Sequence, residues 1–219
     1  MTEKSNEKKE SALAKAASKI SLSVIGAMPK GEINCYAGGL PVRFNCQTGN
    51  ITNSQQKALG NKLSINIIKL DRFFGDLGMS QDKEWIQMYF IPTRECDFLP
   101  QDTVCFSYIK TVSSQRLKEL MIQTAATIGA DPCEGIFDVE FIQEKGQYGS
   151  YYSIDFKWRE RDKDDEFDQL IKIADFLNKM PRLEDFDGTK DMIRVSDLSE
   201  EEYRKLLEEA RERRISAAQ

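Results

Sequence analysis

Apolar and polar positions alternate along several stretches of the chain, and in others the period lengthens to that of a helix. Leu63-Ser64-Ile65-Asn66-Ile67 alternates strictly and predicts a strand running on toward Phe74. Lys83–Ile91, stopped by Pro92, predicts a second strand, and Asp102–Lys110 a third. From Ser113 the spacing turns helical: Leu117, Leu120, Met121, Thr124, Ala125 and Ile128 form one stripe, which Gly129 and Asp131-Pro132 end. Ile136–Ile142 and Ser150–Trp158 read as two further strands. A helix from Asp164 to Asn178 is expected to turn Phe167, Leu170, Ile171, Ala174 and Leu177 toward a core. Residues 180–197, with Pro181 and Gly188, read as a polar linker. A last helix begins after Ser199, with Glu200–Glu202 in its first turn and Arg211, Arg213 and Arg214 near its end. Ahead of all these, Glu32–Tyr36 and Val42–Cys46 flank Ala37-Gly38-Gly39-Leu40-Pro41 and read as a hairpin.

From residue 63 to 158 the order is strand, strand, strand, helix, strand, strand. That is the element order of an OB-fold, whose helix lies between strands three and four. An RRM would place a helix directly after its first strand, and the pattern shows none there. The expected fold class is mainly β with helices (α+β): an OB-fold-like five-stranded barrel with an added N-terminal hairpin and C-terminal helices. The expected organisation is a basic flexible arm over 1–30, the barrel domain with its hairpin and packing helix over 31–179, an acidic linker over 180–197 and a C-terminal helix over 198–219.

Composition narrows the chemistry. The 219 residues contain no histidine, which removes Ser-His-Asp and Cys-His nucleophile systems and the commonest zinc ligand. Proton transfer would fall to carboxylates, Lys, Tyr or Cys, so a non-enzymatic role is expected, with no cofactor and no metal. Cys35, Cys46, Cys96, Cys105 and Cys133 form no C-x-x-C pair, and residues 1–28 lack the apolar core of a secretory signal. Free thiols, a cytoplasmic address and no membrane association are the expectation.

Charge is unevenly spread. Residues 1–30 carry six Lys and three Glu, residues 31–160 carry 13 basic and 16 acidic residues, and residues 161–219 carry 12 basic and 17 acidic. The net charge of −5 therefore describes a nearly balanced body with a basic leading segment and an acidic final third.

Strand parity places Trp85, Gln87 and Tyr89 on one face of the second strand, opposite Ile86, Met88 and Phe90. Phe106, Tyr108 and Lys110 share a face of the third. On the fifth, Tyr151, Ser153, Asp155, Lys157 and Arg159 point outward, and Tyr152, Ile154, Phe156 and Trp158 inward. Exposed rings interleaved with cations are what single-stranded nucleic acid binding uses, bases stacking on the rings and cations meeting phosphates. The loop Lys145-Gly146-x-Tyr148-Gly149-x-Tyr151 joins strands four and five.

On this architecture, and on that loop, residues 60–160 resemble OB-fold single-stranded-DNA-binding proteins of bacteria, plasmids and phages. The resemblance implies single-stranded DNA as partner, roles in DNA replication and recombination, and an acidic C-terminal region that docks a protein partner or mediates homo-oligomerisation. The residues it singles out are Trp85, Tyr89, Phe106, Tyr108, Tyr148 and Tyr151 for stacking, and Lys110, Lys145, Lys157 and Arg159 for phosphates. The chain departs from the family in ending on an Arg-capped helix and not on a short acidic-hydrophobic tip. A protein-interaction adaptor, as in a phage or plasmid accessory factor, remains the alternative.

Two motifs are set aside on context. Asp185-Phe186-Asp187-Gly188-Thr189 reads D-x-D-G-T, as in haloacid-dehalogenase-like phosphatases, but lacks the preceding hydrophobic strand and a following Rossmann-like domain. As a calcium loop it fails at position 12, where Ser196 replaces the required Glu. Carboxylates such as Asp138, Glu140 and Asp155 read as a solvated face.

Overall fold

The computed structural model describes residues 32–216, except 36, 37, 130, 147, 148, 180–182, 184, 185 and the side chains of Phe186 and Asp187. The expected basic arm over 1–30 lies outside the described residues. Four short strands come first: β1 (Leu40–Pro41), β2 (Arg43–Asn45), β3 (Asn50–Thr52) and β4 (Ala58–Gly60). They are followed by β5 (Lys62–Leu77), β6 (Ser80–Pro92), β7 (Cys105–Lys110), helix α1 (Thr111–Ile128), β8 (Ile136–Gly146) and β9 (Gly149–Arg159). Then come α2 (Asp164–Lys179), a single turn α3 (Phe186–Thr189), β10 (Ile193–Arg194) and α4 (Glu200–Ser216). The mostly-β reading with interspersed helices therefore holds, and the alternating stretches become the long antiparallel hairpins β5–β6 and β8–β9.

The main sheet runs β1-β7-β6-β5-β8-β9, with β10 added to the far end of β5, while β2-β3-β4 form a separate small sheet. β5 can hold three partners because it is 16 residues long. It pairs β6 along one edge, and its other edge takes β8 at Lys62–Ile65 and β10 at Phe73–Phe74.

The strands do not close into a barrel: the sheets are open and no ladder joins β7 to β9. The reason is occupancy of the two edges. The edge of β7 receives the first segment: Leu40 N donates to Val104 O (2.8 Å) and Val42 N to Phe106 O (2.9 Å). The edge of β9 meets the other end of that segment, Tyr152 N donating to Cys46 O (2.8 Å). It also meets the first turn of α1, through Ile154 N to Ser113 Oγ (2.9 Å). Residues 40–46 and α1 thus stand in the seam that barrel closure would have used.

The first hairpin is also displaced from its expected place. The described residues Glu32–Cys35 do not pair with Val42–Cys46: Asn34 forms a parallel bridge to Thr103, and β2 pairs β3 through the turn Cys46–Gly49. Asn45 Oδ1 accepts from the backbone N–H of Gln47 and Thr48, and Gly49 closes the turn at φ +68°. A Cβ at Gly49 would also lie 2.9 Å from the Tyr152 ring, so both conformation and space require glycine.

The main core takes Ile86, Met88 and Phe90 of β6 with Leu63, Ile65, Phe137, Val139, Ile154 and Leu117. A second cluster, Ile33, Tyr89, Ile91, Val104, Ile173, Phe176 and Leu183, lies on the opposite face. β6 is therefore covered on both sides from Trp85 to Pro92.

α2 spans the expected residues but is rotated. Its buried positions are Glu166, Gln169, Ile173 and Phe176, whereas Phe167 is 48% and Ile171 68% exposed and Ala174 also faces solvent. A buried polar network sets that rotation. The Arg161 guanidinium donates to Asn66 Oδ1 (2.7 Å) and to the backbone oxygens of Glu134 (2.6 Å) and Glu166 (3.0 Å). Asn66 Nδ2 donates to Gln169 Oε1 (3.0 Å), and Arg159 grips Glu166 at 2.7 and 3.2 Å. Turning the apolar stripe inward would strand these groups without partners, at a cost larger than the gain from burying two side chains.

Within residues 180–197, expected as an acidic linker, some described positions pack against the domain. Leu183 and Val195 are buried, and β10 extends the sheet. α4 is capped by a reciprocal Ser199–Glu202 box, Ser199 N donating to Glu202 Oε2 (2.7 Å) and Glu202 N to Ser199 Oγ (3.3 Å). The helix packs back on the sheet, with Ala210, Tyr203 and Leu206 against Phe74 and Val195.

Candidate nucleic-acid interface

The open seam between β7 and β9 is a cleft of about 710 Å³. Its walls are β2 with the following turn, the β5–β6 hairpin tip from Leu77 to Ser80, the outer half of β7, the first turn of α1, and Tyr151–Ile154 of β9. Five of the residues singled out by sequence meet there: Trp85, Phe106, Tyr108, Lys110 and Tyr151.

Their convergence follows from register. Trp85 faces Lys110, Gln87 faces Tyr108 and Tyr89 faces Phe106 across β6 and β7, so the two expected faces become one continuous surface. Phe106 and Tyr108 meet edge to face at 6.1 Å, and Gln87 Nε2 donates to the Tyr108 hydroxyl (2.6 Å). Trp85 is buried, its Nε1 donating to Gly75 O (3.2 Å), and the Lys110 ammonium stands 4.9 Å from its ring centre. Lys110 also donates to Ser80 Oγ, which ties β7 to the hairpin tip. Tyr151 is exposed at the opposite wall.

The remaining five residues are placed elsewhere. Tyr89 is fully buried in the second cluster, 5.7 Å from the Phe106 ring centre, so it supports the surface from beneath and meets no ligand. Arg159 is consumed by Glu166 and is structural. Lys157 is exposed but ion-paired with Glu140. Lys145 is exposed near the end of the β8–β9 hairpin and does not line the cleft. Tyr148 lies outside the described residues.

Sequence reasoning missed Arg43, Tyr152, Met79 and the start of α1, all of which line the cleft. Tyr152, expected inside, is only half-buried. Met79 is 92% exposed on the hairpin tip, beside Gly78. The one signal available in the sequence was Met79 between turn residues.

The electrostatics of the cleft are one-sided. Among the described residues no Asp or Glu lines it, and Arg43 and Lys110 make no ion pair. Burial and the nearby Lys83 lower the Lys110 pKa. Burial raises the Cys46 thiol, with Lys110 and Arg43 pulling the other way, so both cations lie within electrostatic reach of Cys46. α1 opens into the same space with an extended Lys110 at its N-cap, no side-chain cap and no acid in its first turn. Its first residue, the β-branched Thr111, is held at φ +50°, a strained conformation of the kind that gathers at functional sites. The positive end of the helix dipole therefore adds to the two cations. Such a site suits a ligand that carries both aromatic rings and negative charge.

Among the described residues no group of three His, Cys, Asp or Glu could hold a metal ion, and no helix is long and apolar enough to cross a membrane. Compared with protein-family models, curated proteins and solved structures, the chain matches none.

Proposed function

We propose that the cleft binds single-stranded DNA, bases lying against Tyr151, Tyr108 and Phe106 while Arg43, Lys110 and the start of α1 receive phosphates. The carrying observation is the charge of the lining: among the described residues no Asp or Glu lines this cleft, and two cations do. Rings offered edge-on and face-on to an open cleft favour unpaired bases, because a duplex keeps its base faces stacked. Counted from β5, the strands lie in the order third, second, first, fourth, fifth, an order compatible with a five-stranded Greek-key barrel left open between its third and fifth strands, which supports this reading. On that view residues 40–46 act as a spacer that holds the seam apart.

The C-terminal acidic region retains a partner-docking role in this proposal. With α4 fixed to the sheet, its exposed acids Glu201, Glu208 and Glu212, beside the Lys205–Glu209 pair, are the groups it offers to a basic protein segment.

Fluorescence anisotropy of a labelled oligo-dT strand tests the site. The expected result is saturable binding that weakens at least tenfold in the double variant Arg43→Gln/Lys110→Gln. No binding by the unaltered chain, or equal binding by the variant, would overturn the assignment.

A further inference from the structure

The tip of the β5–β6 hairpin carries a side chain that the fold does not use. Leu77 pairs with Ser80, which leaves Gly78 and Met79 as a two-residue turn, with Gly78 at φ +60°. Such turns favour Gly, Asn and Asp, and a methionine brings the backbone no comparable advantage. Met79 is 92% exposed, the most exposed large apolar side chain among the described residues, and it lines the cleft together with Ser80 and Lys110. Beyond its chain neighbours, no heavy atom lies within 4 Å of where a Cβ on Gly78 would stand, so the space beside Met79 is open.

The turn itself is firmly fastened. Lys110 donates to Ser80 Oγ, Asp82 N donates to Asp76 Oδ1 (2.7 Å), and Arg213 of α4 grips the Asp82 carboxylate at 2.6 and 3.3 Å. A mount held in this way presents an apolar side chain to a ligand with little backbone freedom left to lose on binding.

The chemistry of that side chain differs from the rest of the lining. Phe106, Tyr108 and Tyr151 offer flat faces and edges on which bases stack. An unbranched thioether at a turn is narrow and polarisable, so it can enter between two bases and pack on their faces. Apolar side chains that enter base steps part them and break their stacking.

On the single-strand reading of the cleft, on which this rests, we propose that Met79 is a wedge that enters between two successive bases. The cleft thereby selects weakly stacked, pyrimidine-rich strands over strongly stacked, purine-rich ones. Insertion costs the stacking of the two bases it parts, which is small for neighbouring thymines and larger for neighbouring adenines. Stacking on the aromatic wall also draws bases apart, so the mark of the wedge is a preference that depends on Met79.

Anisotropy titrations of labelled oligo-dT and oligo-dA of equal length test this with the full chain, Met79→Ser and Met79→Leu. The unaltered chain is expected to bind oligo-dT about tenfold more tightly than oligo-dA. Met79→Ser should weaken oligo-dT binding about threefold or more and bring the ratio between the strands below about threefold, with an unchanged melting temperature. Met79→Leu, still apolar and of similar volume, should keep the ratio. A ratio unchanged in Met79→Ser, a ratio lost equally in Met79→Leu, or equal binding of both strands by the unaltered chain would overturn the wedge and leave single-strand binding standing. Failure of the unaltered chain to bind either strand would overturn both.

Discussion

The Lys110 ammonium lies 4.9 Å from the centre of the Trp85 ring, and the two residues are register partners on adjacent strands. The cation is thereby held over an aromatic wall and hydrogen-bonded to Ser80, with Arg43 also lining the cleft and no carboxylate among the described lining residues. Lys110→Gln removes one phosphate contact and leaves a shorter, uncharged polar side chain. Oligonucleotide affinity should fall, and the slope of log affinity against log salt should flatten by about 0.7, the value for one cation on a single strand. Binding isotherms at four salt concentrations measure both.

Tyr151 and Tyr89 separate ligand contact from support. Tyr151→Ala, at an exposed wall of the cleft, is expected to weaken oligo-dT binding about tenfold and to leave the melting temperature nearly unchanged. Tyr89→Ala should do the reverse in origin, destabilising the fold by about 3–5 kcal/mol through a core cavity. Thermal melts and binding isotherms on the two variants give the comparison.

Glu166 shows how much the rotated α2 depends on its polar core. The carboxylate is 4% exposed and takes both arms of Arg159 and the backbone N–H of Asp162. Glu166→Ala removes the carboxylate that takes both arms of Arg159, leaving it only Asp138 and Asp162 at 3.6 and 3.7 Å, and should cost about 1–3 kcal/mol. Urea denaturation is the check, and a loss under 1 kcal/mol would mean the network does not anchor the helix.

Acid should loosen the molecule in a defined window. Burial pushes the Glu84 carboxyl up, but hydrogen bonds from Arg72, Lys118 and Tyr203 outweigh it and hold the group at about 2, against an ordinary 4.5. Glu166 is held at about 2 chiefly by its hydrogen bond from Arg159. A carboxylate depressed in the folded state contributes stability that is present above pH 4.5 and is lost as the pH falls toward 2. Unfolding free energy should therefore decline across that interval. Glu84→Gln should flatten part of the decline and weaken the seat of α4, because Tyr203 of that helix donates to Glu84. Denaturant melts from pH 2 to 6 test it.

Much of the framework was legible as periodicity. The strict alternation after Leu63 and the positions Leu117, Leu120, Met121 and Thr124 of the α1 stripe turn toward the core, whereas Ala125 and Ile128 of that stripe are exposed, and both elements formed within a few residues of expectation. The α2 face was not legible, because the rule that apolar residues turn inward fails where Arg161, Asn66, Glu166 and Gln169 satisfy one another inside. Tyr89 shared the predicted parity with Trp85 and Gln87, yet parity says nothing of what covers a face, and here Ile173 and Phe176 of α2 do. Arg43 and Tyr152 escaped notice because their role arises only when residues 40–46 enter the seam between β7 and β9. That is a long-range placement which no local spacing encodes.

The central claim is that the seam cleft receives single-stranded DNA, and Trp85 reports on it from within. Trp158 is packed away against Gly135, donating to Pro132 O at 2.8 Å, so Trp158→Phe leaves Trp85 as the sole indole. Its fluorescence is titrated with oligo-dT at 50 and 200 mM salt. The account requires saturable quenching at low salt and an affinity that falls by about fourfold or more at high salt for two cation contacts. An emission unchanged by oligonucleotide, or an affinity indifferent to salt, would contradict it.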